Sequence, residues 1–246
     1  GRSIFYDRSI QSYDYFHVET EDHSVIWADG MMTESYLDTG NRSTFRQEGA
    51  VVRLGQAEGK DWASDAAAEL AVSRAVVEPL FRQIETRAAD AGLADQSDVA
   101  ELTHDADLHL VTDKGHTVRA ARKQGDLVTF MLPVGVESVR VVSRTSRPSD
   151  AIGPFVDDRR DLGVLVGDVS LFDGAAFQNL TSHLDQADLD GWDVVEASAC
   201  RWTNGNALLP LGAAENANFR LLTLKILAAG PYRLTAENTV DLIMVG

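Results

Sequence analysis

From about Ser12 to Leu37 apolar and polar positions alternate with a period of two. Phe16 and Val18 stand against Tyr13, Tyr15, His17 and Glu19, the pattern of extended chain. Within this stretch Asp29-Gly30 lies between Val25-Ile26-Trp27 and Met31-Met32. The dipeptide supplies the positive φ angles of a type I′ turn, so a hairpin is predicted there. Residues 38–60 are polar and punctuated by Gly40, Gly49, Gly55 and Gly59, which predicts a long irregular connection. From Asp61 the period becomes helical. Asp61 or Ser64 can cap an alanine-rich helix running to Ser73, and Leu80, Phe81, Ile84, Ala88 and Ala91 form one apolar stripe on a second helix. Pro79 suits the first turn of that second helix and Gly92 its stop, with one kinked helix as the alternative.

After residue 104 the pattern changes to short alternating segments separated by Gly, Asp, Asn or Pro. Leu108, Leu110 and Thr112 precede the turn Asp113-Lys114-Gly115, and further strands are predicted over 127–132, 138–143, 163–171 and 219–227. Asn204-Gly205, between Cys200-Arg201-Trp202 and Ala207-Leu208-Leu209, predicts a second hairpin. Roughly nine strands at this spacing describe an antiparallel β-sandwich or jelly roll. The expected architecture is therefore mainly β with a short helical segment. It comprises terminal strands over 1–55, a helical connector over 56–103 and a sandwich over 104–246.

Charge narrows the partners. The 246 residues carry 22 Lys and Arg against 38 Asp and Glu, a formal net charge of -16. Such a surface repels phosphate backbones and anionic leaflets, which excludes nucleic acid as the expected partner. A single cysteine, Cys200, rules out an internal disulfide and a multi-thiolate metal site, and reads as a small buried thiol. No run is long and apolar enough to span a bilayer, so no membrane span is expected. The chain starts at Gly1 without a signal-peptide core, which reads as a fragment. The compartment stays open, with a secreted or cell-surface location suspected.

Phosphate-loop, nucleophile-elbow and HExxH signatures are all absent from the sequence. His104, His109 and His116 can converge only if their strands are neighbours, and surface or satisfied strand histidines are the plainer reading. The acidic segment Asp185, Asp188, Asp190, Asp193 and Glu196 mimics part of a calcium loop. Gln186 and Ala197 occupy the positions of its first and its bidentate carboxylate, so a solvated acidic loop is expected and no metal or cofactor. Trp192 and Trp202, with Asp188 and Asp190 as acceptors, would form a glycan-binding platform if exposed, although a tryptophan on a sandwich is more commonly core. Asp157-Asp158-Arg159-Arg160-Asp161 reads as a charge network or a solvated turn. Asn41-Arg42-Ser43 and Asn179-Leu180-Thr181 match the glycosylation tripeptide, a pattern frequent by chance. An enzyme site built from distant residues such as His109, His116 and Asp158 is a further alternative.

The stretch YDYFHVETEDHSVIWADGMMTESYLDTGNR resembles the end of a Hint domain, the hedgehog/intein autoprocessing fold, in its alphaproteobacterial form. There a Y-F-H-V-E-x-x-x-H-x-V-x-x-A-x-G-x-x-x-E-S-Y-L-D-T-G-N-R string recurs. His17, Val18, His23, Ala28, Gly30 and Glu34 through Arg42 carry the match. The same proteins tend to contain three downstream motifs, found here as Ser143-Arg144 with Pro148, Asp157 to Arg160 with Leu162-Gly163-Val164, and Arg201-Trp202-Thr203 with Gly205, Ala207 and Leu209-Pro210. The resemblance implies autoprocessing by an N-terminal Cys or Ser nucleophile aided by an upstream Thr-x-x-His, with His23 near the histidine of the last conserved block. Gly1 cannot serve as that nucleophile, no Thr-x-x-His precedes Tyr13, and no Asn follows the turn until Asn41. The chain is thus expected to be a C-terminal portion that does not splice on its own, with the N-terminal Hint half or another copy of the chain as its partner.

Overall fold

The computed structural model describes residues 2, 9–45, 59–96, 100–174, 176–213 and 219–234. The chain divides into two compact units, Gly1–Ser97 and Asp98–Gly246. The stretch expected as a separate connector over 56–103 is shared between them. Its helix belongs to the first unit and a short strand at Leu102–Thr103 to the second.

In the first unit β1 (Val25–Ala28) and β2 (Met31–Glu34) pair antiparallel, with Ala28 opposite Met31. Asp29 and Gly30 have φ of 48° and 77°, the left-handed pair that a two-residue type I′ connection requires. Helix α1 (Arg74–Asp90) follows. The alanine-rich helix expected from Asp61 to Ser73 does not form. Asp61 Oδ1 accepts the amides of Ala63 (2.7 Å) and Ser64 (2.9 Å), which closes a single side-chain turn. The Ala67 amide, which would serve a fourth-residue helical bond, instead donates to His23 Nδ1 at 2.9 Å. Ser73 then starts α1, its carbonyl accepting both Val76 and Val77 amides, so Pro79 falls inside the helix rather than in its first turn. Pro79 withdraws a donor from the exposed Ala75 carbonyl region, where water can substitute. At the other end Leu93 N–H bonds Ala88 O and Gly92 N–H bonds Ala89 O around Gly92 at φ 73°, a Schellman stop. The apolar stripe is only partly used: Ala88 is buried and Phe81 half-buried, whereas Leu80 and Ile84 are exposed.

The second unit holds β3 (Leu102–Thr103), β4 (His109–Thr112), β5 (Thr117–Arg119), β6 (Arg122–Gln124), β7 (Leu127–Leu132) and β8 (Ser138–Val142). After the short helix α2 (Pro148–Ala151) come β9 (Val164–Phe172), β10 (Phe177–Asn179) and helix α3 (Ser182–Asp185). The unit continues with β11 (Trp192–Val195), β12 (Arg201–Thr203), β13 (Asn206–Pro210), β14 (Arg220–Ala229) and β15 (Tyr232–Arg233). One antiparallel sheet runs β11-β12-β9-β14-β7-β6 with β10 also on β9, a second runs β13-β8-β4-β5, and β15 pairs β3. The architecture is mainly β and sandwich-like, without a closed barrel. Alternation supplies the core, with Val128, Phe130 and Leu132 from β7 and Val139 and Val141 from β8 facing inward. Each such burial is worth roughly 1.5–3 kcal/mol. On β9 the inward set changes phase from Val164 and Val166 to Val169 and Leu171. The register to β14 shifts at the same point, so a bulge keeps both halves facing the core.

The hairpin expected at Asn204-Gly205 is replaced by a crossing between sheets. β12 pairs β11 and β9, whereas β13 pairs β8. Only Gly205 of the dipeptide takes positive φ, and the Thr203 carbonyl accepts the Gly163 amide at 2.7 Å instead of closing a ladder to β13. Among the described residues no helix is long and apolar enough to cross a membrane.

Candidate functional site

The stretch from Phe16 to Asn41, with Trp62, folds around a groove of about 750 Å³ in the first unit. Phe16, Val18, Ile26, Leu37 and Trp62 give it apolar walls, while His17, Ser35, Tyr36 and Asn41 bring polar groups to it. That mixture and size are typical of small-ligand and peptide sites. Ser35 is buried and is bonded from two sides, by the Ser24 amide at 2.9 Å and the Thr20 hydroxyl at 3.0 Å. The His17 ring packs 5.1 Å from Tyr36 and 4.6 Å from Phe45, centroid to centroid.

The loop after β2 is organised by Asp38. Its carboxylate accepts the Gly40 amide at 3.1 Å and the Arg42 Nε–H at 2.8 Å, and Arg42 also bonds Glu19. The Arg42 hydrogen bond holds the Asp38 carboxyl below its ordinary range, against the opposing effect of burial. Burial, with Asp38 beside it, raises the Tyr36 phenol, whose hydroxyl bonds Asn41. Asp38 and Arg42 are four residues apart and so readable as a pair from sequence; the link to Glu19 is not.

His23 is 6% exposed and stacks edge-on against Trp62 at 5.5 Å. Its Nδ1 accepts the Ala67 amide, so the neutral ring carries its proton on Nε2, and that buried nitrogen has no partner. His23 is therefore a neutral donor held in one orientation by the segment that fails to become helix.

The residues expected to bind glycan do not assemble into a platform. Trp192 is 8% exposed, its Nε1–H donates to Leu208 O at 2.6 Å, and its ring lies in the core against His183, with centroids 5.2 Å apart. Trp192 therefore has no free face to offer a sugar, which corrects the platform reading. Trp202 is half-buried between two buried neighbours on β12, Asp188 is exposed, and Asp190 is engaged with Arg140 at 2.6 Å. The acidic segment is held from inside by Arg201, 2% exposed, which donates to the carbonyls of His183 (3.0 Å), Gln186 (2.7 Å), Ala187 (2.5 Å) and Asp193. Sequence reasoning missed this role, because carbonyl acceptors leave no residue-type signal. Among the described residues no three His, Cys, Asp or Glu side chains are placed to hold a metal.

The distant-residue enzyme site fares no better. His109 Nδ1 lies 2.7 Å from the Asp107 carbonyl and His116 is exposed beside a turn. The Asp158 carboxylate is occupied by Arg160 Nε–H at 3.1 Å and Nη2–H at 2.8 Å, and Arg160 reaches Glu196 at 3.3 Å. Arg160 thus makes the DDRR run a charge network joining that turn to β11. Cys200 is buried, with the Ser198 hydroxyl 3.1 Å from its sulfur. No family model, curated protein or solved structure matches the chain.

Proposed function

We propose that the first unit is the C-terminal part of a Hint-type autoprocessing module, to which the second unit is attached as a β-sandwich accessory or binding domain. On this reading the chain does not splice alone. The nucleophile comes from another polypeptide segment, and His23 serves as a fixed neutral hydrogen-bond donor beside the reacting carbonyl.

The observation that carries the reading is the β1–β2 hairpin. A two-stranded sheet is at best marginally stable in water, yet this one exposes Val25, Trp27 and Met32 on a single face. Among the described residues neither strand pairs with a third. Further strands laid on this hairpin would cover the apolar face and remove the free edges. The hydrogen-bonded loop from Tyr36 to Arg42 beside it would hold the hairpin in position for docking.

The test adds, in trans, the polypeptide encoded immediately upstream of Gly1. Trp27 emission should move to shorter wavelength, a shift absent in Trp27→Phe, and the amides of β1 and β2 should gain protection from exchange. Cleavage chemistry should appear only in the mixture and be lost in His23→Ala. Unchanged Trp27 emission and unprotected hairpin amides would overturn the proposal. So would a hairpin protected by self-association of this chain with no response to the upstream segment.

A further inference from the structure

An aspartate or asparagine precedes glycine at four positions: Asp29-Gly30, Asp173-Gly174, Asp190-Gly191 and Asn204-Gly205. In each, a bond from the glycine nitrogen to the side-chain carbonyl carbon closes a five-membered ring, and the glycine has no side chain to obstruct closure. Only Asn204 carries a good leaving group. Its side-chain nitrogen departs as ammonia, whereas an ionised carboxylate repels the nucleophile and would have to expel an oxygen anion. Asp190 is further occupied by Arg140 at 2.6 Å.

The fold prepares the Asn204 amide. Asn204 is exposed, so ammonia can leave and water can enter. The Asn206 N–H donates to Asn204 Oδ1 at 3.2 Å, a bond to the second residue ahead that folds the side-chain amide over the intervening Gly205 peptide. The same N–H is placed to stabilise the oxyanion formed when that carbonyl is attacked. Among the described residues the Gly205 N–H donates no hydrogen bond, so none has to be broken to release the nucleophile. Packing also demands the glycine: its φ is 90°, and a Cβ there would lie 2.4 Å from Thr145 Cγ2. On either side the backbone is fixed, with Asn204 N–H donating to Gly191 O at 2.9 Å and Ser143 N–H to Gly205 O at 3.1 Å.

We infer that Asn204 is a self-modification site, converted through a cyclic imide with Gly205 into aspartate and isoaspartate. The Gly205 nitrogen loses its proton to solvent and bonds to Asn204 Cγ. The Cγ–Nδ2 bond then breaks, and the nitrogen leaves as ammonia with a proton taken from solvent. Water adds to either imide carbonyl. Opening on one side leaves aspartate in the original chain path; opening on the other leaves isoaspartate, with the backbone routed through Cγ and longer by one methylene. The net change is one water consumed and one ammonia released. The added methylene falls where the chain crosses from β12 in one sheet to β13 in the other, between the two backbone bonds that fix the corner. Isoaspartate therefore loosens the join between the sheets. The site stands whether or not the first unit is Hint-type.

The test incubates the full chain in heavy-oxygen water at neutral and at mildly alkaline pH, followed by peptide mapping with mass spectrometry and an isoaspartate assay. One heavy oxygen should enter at residue 204 ahead of every other asparagine and aspartate. Entry should be faster at the higher pH, because the nitrogen attacks after losing its proton. Asn204→Gln requires a larger ring and should lose the signal while near-UV circular dichroism shows the native fold. The isoaspartyl chain, separated by chromatography, should melt below the unmodified chain and exchange its Ser143 amide faster. An intact Asn204 under conditions that fully convert a free peptide spanning residues 200–208 would overturn the site. Scission after Asn204 would also overturn it, since the side-chain nitrogen would then be the nucleophile instead of the leaving group. Unchanged melting and Ser143 exchange in the isoaspartyl chain would overturn the loosened join. Should the glutamine variant fail to fold, the position of the heavy oxygen in the wild-type chain decides.

Discussion

Replacing Arg201 by methionine should destabilise the second unit by about 3–5 kcal/mol, the upper range for breaking a buried network of charge-assisted hydrogen bonds. The guanidinium is 2% exposed and bonds four backbone carbonyls, those of His183, Gln186, Ala187 and Asp193. Charge-assisted bonds are worth roughly 1.5–3 kcal/mol each, but four of them do not simply add. Gln186 and Ala187 are exposed, so their carbonyls regain water when the arginine is lost. His183 is fully buried, and its orphaned carbonyl alone would cost about 1–3 kcal/mol. Methionine preserves the apolar stem and removes the charge, which returns part of the desolvation cost. In a domain of about this size each kcal/mol is worth about 2–4 °C, so melting should drop by roughly 10 °C. Urea unfolding followed by tryptophan emission is a suitable assay, because Trp192 packs on His183 within the segment that Arg201 holds. Arg201→Lys keeps the charge but cannot span the carbonyls, and should still lose more than about 2 kcal/mol. A loss below about 1 kcal/mol in the methionine variant, or full rescue by lysine, would refute the reasoning.

Burial, opposed by the Gly167 bond and reinforced by the Arg201 charge, holds the His183 pKa below its ordinary value. The unfolded chain therefore protonates first as pH falls. The stabilising contribution is complete above about pH 6.5 and is lost progressively below it, through the folded-state pKa. His183→Gln should flatten the decline in unfolding midpoint between pH 7 and 5, and an unchanged slope would contradict the assignment. Gly163→Ala should cost about 1–3 kcal/mol by overpacking against Thr203 and Ser143, which a denaturant midpoint reads directly. Asp38→Asn should loosen the loop it organises, speeding exchange of the Gly40 amide by about tenfold. An unaltered rate would place the loop's order elsewhere.

What the sequence discloses depends on how far away each residue's partner lies. Leu127–Leu132 forms a strand with the alternation read from it, because burial on one face is a local consequence of a period of two. Asp29-Gly30 makes its turn because both residues can adopt the left-handed angles and both flanking segments need only each other. The same dipeptide logic misleads at Asn204-Gly205, where Val142 and Val166 compete for the two flanking segments and draw them into different sheets. The alanine-rich run after Asp61 has the composition of a helix, yet a histidine far upstream takes the Ala67 amide. Chemistry follows the same rule. Trp192 has the residue type of a sugar platform, but the Leu208 carbonyl consumes its N–H, and Asp190 is neutralised by Arg140 from β8. A side chain's identity states what it can bond; the chain's return path decides what it does bond. Function is then best sought at the positions where that path supplies no partner. By this criterion His23 Nε2 and the exposed hairpin face direct attention to the first unit.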